Sequence, residues 1–272
     1  MGLNWLFIFG DIDGLPEGAT GAALATSITR WSVAVGMIIY IFFMRHREKF
    51  GIRQSSDWGW TSWSHQRRLG YATGASLAVE TTAFSALQQF AGWLGPIPLA
   101  AFTAAFYLLV VSFMVAIGFG AATTVCVGNA HGRKDNRDMA FAGWTGLGLT
   151  LVATAIIGIV LVTFDETFIR AFTDDAKVIA LAVPLVFWTA IALVTDGGQA
   201  VMANALRGRQ DVWTACFIQG FAFVVIMLPL TWYTVFSLGE GLTGIFQGIL
   251  GSTIIAITLM SVRFYWLYRR DC

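Results

Sequence analysis

Long apolar runs fill this chain, and short polar stretches interrupt them at nearly regular intervals. A helix needs about 20 apolar residues to cross a bilayer. Seven runs reach that length, at about 18–44, 69–92, 97–128, 139–163, 176–205, 212–236 and 241–268. The pattern predicts an all-α integral membrane protein with about seven spans. An eighth run, Leu3-Asn4-Trp5-Leu6-Phe7-Ile8-Phe9, is too short to cross and reads as the last turns of a helix. It has no basic flank, so it does not resemble a signal peptide.

The polar interruptions alternate in charge. One set carries Arg45, Arg47, Lys49, Arg53, Arg67 and Arg68, then Arg133, Lys134 and Arg137, then Arg207 and Arg209, and finally Arg269 and Arg270. The other set is acidic or short: Asp11, Asp13 and Glu17, then Gly95-Pro96-Ile97-Pro98, then Asp165, Glu166, Asp174 and Asp175, then Glu240. Only Arg170 and Lys177 break the alternation. Basic loops face the cytoplasm, so the expected location is the plasma (inner) membrane, multi-pass, with a cytoplasmic C-terminus. The loop at 45–68 also holds Trp58, Trp60 and Trp63, which favour the headgroup region. It reads as an interfacial linker.

Composition agrees with this picture. Hydrophobic residues make up 57% of the chain and charged ones only 12%, against roughly 25% charged in soluble domains. The lipid bilayer is thus the first expected partner. The net charge of +1 points to no polyanion, and no nucleic-acid partner is expected. Cys126, Cys216 and Cys272 are widely spaced and His46, His65 and His131 lie in loops, so neither a disulfide framework nor a zinc motif is present.

The chain also repeats itself. Glu17-Gly18-Ala19-Thr20-Gly21 returns as Glu240-Gly241-Leu242-Thr243-Gly244, an offset of 223 positions, and each copy leads through an apolar helix into a basic end. Such self-similarity suggests two like halves. If each half closes with this helix, residues 1–44 are the remnant of a first lobe and 69–272 are a complete second six-helix lobe.

Three ionisable residues sit deep in spans: Arg30, Glu80 and Asp196. A charge at mid-bilayer costs ~2.5–3.5 kcal/mol on insertion scales and usually faces a partner or a cavity. Glu80 follows Arg68 by 12 residues and Asp196 precedes Arg207 by 11, so both lie ~16–18 Å from the basic edge. Two carboxylates at one depth on different helices can share one site. Helical spacing puts Thr73, Ser76 and Phe84 on the face of Glu80, and Thr189, Gln199 and Ala203 on that of Asp196. Carboxylates held this way can take up a proton or a sodium ion and release it on rehydration. Ser76, Phe84, Thr189 and Gln199 are the candidate cavity-lining residues. A buried acid hydrogen-bonded for packing is the competing account. Arg30 has Thr253 as its repeat mate, so that position does not demand a charge, and snorkelling accounts for it. No His-Glu-x-x-His pair, Gly-x-Ser-x-Gly elbow or phosphate loop occurs, which argues against an enzyme and against any cofactor.

Several stretches resemble the multidrug and toxic compound extrusion transporters. These are Gly92-Trp93-Leu94-Gly95, Pro98-Leu99-Ala100-Ala101, Gly118 to Thr123, Ala142-Gly143-Trp144, Asp196-Gly197-Gly198-Gln199 and Ala205-Leu206-Arg207-Gly208. The resemblance implies a twelve-helix antiporter of two lobes that expels amphipathic, mostly cationic drug-like compounds in exchange for Na⁺ or H⁺. It aligns Glu80 with an acidic position of helix seven and Asp196 with one of helix ten, making both the coupling-cation ligands. It also places the start of this chain at the end of helix five, with a first lobe as a missing partner. Departures from the family pattern are Phe102-Thr103 in place of His-Gln, Ala116 in place of Pro, and Ala192 in place of a tyrosine found in some relatives. Two further readings stay open at this stage: a truncated fragment that transports nothing, and a flippase for lipid-linked precursors.

Overall fold

The computed structural model describes residues 18–44 and 60–271. The helix tail expected at 3–9 and most of the interfacial linker, Trp58 included, lie outside these residues. The chain divides into two compact units, one up to Trp63 and one from Ser64 onward. In the first, α1 runs from Gly18 to Phe43.

The second unit holds six long helices: α2 (Ser64–Trp93), α3 (Pro96–Gly132), α4 (Asn136–Thr163), α6 (Ala176–Gly208), α7 (Val212–Ser237) and α8 (Leu242–Asp271). Between α4 and α6 lies a short helix, α5 (Asp165–Arg170). Among the described residues, six helices are long and apolar enough to cross a membrane. The exception is α2, which has the length but is broken up by Thr, Ser, Gln and Glu80. Most helices begin or end beyond their apolar runs. α2 starts at Ser64 rather than near 69, and α3 reaches Gly132, because basic ends stay helical as they emerge from the apolar layer.

Local chemistry sets the turns. Gly95 sits at φ 119°, a conformation only glycine adopts easily, and Pro96 then opens α3 at its first turn. Asp135 caps α4 by accepting from the Asp138 N–H at 3.0 Å, and Asp175 caps α6 by accepting from the Lys177 N–H at 2.9 Å. In α5, Glu166 accepts from Arg170 one turn later. The structure thus has a short helix where the sequence suggests only an acidic loop.

The central helix is α6, which packs against α3, α4 and α8, and it continues unbroken through Pro184. Helix α2 docks on the first half of α7. That helix is not uniform: Phe221–Met227 and Tyr233–Ser237 are π-helical, and the Leu238 N–H reaches the Tyr233 carbonyl five residues back. Pro229 lies between the two stretches, has no N–H to donate and crowds the preceding turn, which gives a physical reason for the widening. The apolar core gathers in three groups. One lies around Leu87, Phe102, Phe223 and Phe246, one around Met139, Leu206 and Phe264, and one around Ile169, Val178 and Leu193. Val111, Val125 and Ile159, in contrast, are exposed on the outside of α3 and α4, as a lipid-facing surface requires.

Candidate functional site

The two acids stand on different helices, α2 and α6, which make little direct contact with each other. Asp196 is 3% exposed at the middle of α6, the most enclosed helix of the unit. The next two residues, Gly197 and Gly198, lack a Cβ where one would meet Ala116 at 3.2 Å and Ile257 at 2.4 Å. Their smallness lets α3 and α8 close around the segment that carries the acid. Glu80 is partly buried on α2. Its carboxylate lies near enough to Asp196 for the charge of one to be felt at the other, and the Arg207 guanidinium acts on Glu80 as well.

A third residue joins them. The Gln219 side chain, 2% exposed on α7, donates from Nε2 to Glu80 Oε2 at 2.9 Å across 139 positions of sequence. Nothing in the apolar run that carries Gln219 singles it out, beyond the presence of an amide between Ile218 and Gly220. The partner was therefore out of reach of local pattern reading.

Around these three groups several buried polar atoms have no hydrogen-bond partner. They are Ser76 Oγ, one turn before Glu80; Gln199 Nε2, one turn after Asp196; and Gln219 Oε1, on the far side of the amide bound to Glu80. Thr231 Oγ1 is also without a partner, but it belongs to the contact of α7 with α8. The remaining residues of the expected face behave differently. Thr189 is fully buried, and its hydroxyl donates to the Leu185 carbonyl at 2.9 Å. Phe84 sits in an aromatic group, with ring centroids 5.4 Å from Phe106 and 5.9 Å from Phe223. Thr73 is exposed and donates to the carbonyl of Leu69. Ala203 is buried in the core around Leu206.

The three departures from the family pattern all fall in packed positions. Phe102 is fully buried and stacks at 5.6 Å on Phe106, while Thr103 donates to Leu99 in its own helix. Ala116 and Ala192 are both fully buried.

Among the described residues, no group of three or more His, Cys, Asp and Glu forms a metal centre. The donor set here is two carboxylates and a hydroxyl. Those are oxygen ligands suited to a hard, weakly held cation or a proton, not to a transition metal.

Residues 72–233 match the family model MatE. The chain belongs to the MatE family. Among curated relatives, a probable multidrug resistance protein NorM of Caulobacter vibrioides is 30% identical over 271 residues, covering 100% of this chain and 58% of the relative. A protein with the same name in Mesorhizobium japonicum is 34% identical, covering 98% and 58%. This MatE chain thus spans a little under three fifths of the length of the relatives it matches. Solved structures share the fold. A multidrug resistance MATE family transporter in an outward-facing conformation superposes with a TM-score of 0.86 at 18% identity, covering 99% of this chain and 60% of that one. A eukaryotic MATE transporter gives 0.84 at 19% identity, covering 99% and 61%.

Proposed function

We propose that this MatE chain serves secondary active multidrug efflux, exporting amphipathic, cationic compounds in exchange for Na⁺ or H⁺. The observation that carries this reading is that two acids, Glu80 and Asp196, stand on two helices within electrostatic reach of each other, with unpartnered polar atoms on Ser76, Gln199 and Gln219. The names of the curated relatives support the substrate class. Glu80 and Asp196 are the groups that hold the coupling cation. Ser76 and Gln199 line the same space, Phe84 and Thr189 pack beside it, and Gln219 fixes the Glu80 carboxylate.

Exchange follows from competition for the same negative charges. A cation or proton arriving at the carboxylates neutralises them and weakens their hold on a cationic drug, so each ligand favours the state that releases the other. The basic ends of the helices and the C-terminus face the cytoplasm in this scheme, in the inner membrane. A first lobe, corresponding to the part of the relatives that this chain does not span, completes the cavity.

The test is ion-driven ethidium efflux from vesicles, under a sodium gradient and separately under a pH gradient. Glu80→Gln and Asp196→Asn each abolish it while the protein inserts normally. Undiminished efflux in both variants refutes the carboxylate assignment. The second reading, a non-transporting fragment, draws on the incomplete coverage of the relatives. It holds if the native chain moves no dye under either gradient.

A further inference from the structure

Away from the acidic site, α3 and α4 enclose a seam on their outer side, with a volume of about 410 Å³. Its walls are Phe119, Ala122 and Cys126 of α3 and Phe141 and Leu149 of α4, and Arg133 stands at its mouth. The spacing 119, 122, 126, 129 follows one face of α3 and 138, 141, 145, 149 one face of α4, so the seam runs along this end of the hairpin. Its floor is shallow because the helices touch there: a Cβ on Gly146 would lie 2.1 Å from Thr123 Oγ1. The Thr123 hydroxyl is itself engaged with the Phe119 carbonyl at 2.8 Å. Ala122, Cys126, Phe141 and Leu149 are exposed, on helices that are long and apolar enough to cross the membrane.

Its dimensions and polarity fit a single lipid. From Arg133 to Phe119 is 14 residues, a length of ~21 Å, against roughly 15 Å for the hydrocarbon of one leaflet. The polar end lies at the turn, where Arg133, Lys134 and Arg137 cluster, and the opposite end is apolar. Arg133 pairs with Asp138 at the mouth, but its side chain is 60% exposed and the guanidinium carries five donors, more than one carboxylate occupies. We propose that the seam between α3 and α4 binds one anionic phospholipid, with an acyl chain along the groove and the phosphate at Arg133 and Lys134. The site is separate from the Glu80–Asp196 pair and does not depend on the transport reading.

The test is native mass spectrometry of the full chain in detergent, loaded with phosphatidylglycerol or with phosphatidylcholine of identical acyl chains. The native chain retains the anionic lipid about fivefold better, the preference expected of one net positive charge, since Asp138 offsets one of Arg133 and Lys134. Ala122→Phe fills the groove and lowers retention of both lipids. Arg133→Gln combined with Lys134→Gln removes the preference while leaving retention of the neutral lipid. Asp138→Asn frees the guanidinium and strengthens the preference, an outcome that a purely structural role of the ion pair does not produce. Equal retention of the two lipids by the native chain overturns the proposal. So do unchanged retention in Ala122→Phe, a preference that survives loss of both basic residues, or a weaker preference in Asp138→Asn.

Discussion

Replacing Gln219 by Leu is the most informative single change at the acidic site. The two side chains are similar in size, and Gln219 is 2% exposed, so packing of α7 against α2 is largely kept. What is lost is the Nε2–H donated to Glu80 Oε2 at 2.9 Å. A hydrogen bond to a charged group contributes about 1.5–3 kcal/mol. That contribution exists while Glu80 is a bare carboxylate and shrinks once a cation or proton neutralises it. Removing the donor therefore destabilises the empty state more than the loaded one. Cation uptake at Glu80 becomes tighter by about tenfold, the lower end of the range, because water partly replaces the amide. Tighter uptake means slower release, so maximal efflux falls while the ion concentration for half-maximal efflux drops about tenfold. Ethidium efflux from vesicles over a series of Na⁺ and H⁺ concentrations measures both. An unchanged ion dependence in well-folded Gln219→Leu refutes the reasoning. A weakened ion affinity also refutes it, and would make Gln219 Oε1 a direct ligand instead.

Two further changes probe the frame around the site. Gly208→Ala places a Cβ 2.7 Å from the backbone carbonyl of Thr124, so α3 and α6 must separate; we expect a loss of about 1–3 kcal/mol, read as a lower melting temperature in detergent. Gly118→Ala meets nothing within 4 Å and is expected to be neutral or to stabilise slightly through helix propensity. Single cysteines at Thr81 or Ser85, on the exposed polar side of α2, should react with a water-soluble maleimide, whereas one at Ile159, exposed on apolar α4, should not. Failure of the Thr81 and Ser85 positions to label would mean that α2 borders lipid there.

The parts of this structure that sequence discloses are those whose cost is local. Twenty apolar residues in a row cannot be anything but buried or spanning, so the long helices are legible. Glu80 and Asp196 draw attention because a charge in such a run must be compensated somewhere. Gln219 does not, since one amide in the run Phe217-Ile218-Gln219-Gly220 is cheap enough to be ordinary, and its partner lies on another helix. The π-helical stretches of α7 leave no trace in hydropathy either, because a wider turn shifts which residues meet without changing how apolar they are. Only Pro229, between the two stretches, bears on them locally. Polar faces read by helical spacing are reliable for direction but not for contact: Ser76 and Thr73 are three residues apart, and one is buried while the other is exposed.

Inside the spans, most hydroxyls close on their own helix. Thr81, Ser85, Thr150, Thr154, Thr189 and Thr258 each donate to a carbonyl four residues back. A side chain satisfied in that way asks nothing of its surroundings and is tolerated against lipid or core alike. Ser76, Gln199 and Gln219 instead leave a buried polar atom unmet, and a buried group without a partner costs about 1–3 kcal/mol. One such atom is an ordinary imperfection. Three of them flanking two acids amount to several kcal/mol if the space between them stays dry and empty. Water alone meets the polar atoms but leaves two neighbouring negative charges in each other's field. A cation or proton relieves that repulsion and can be met by the Ser76 hydroxyl, which is why the two acids favour ion handling over packing.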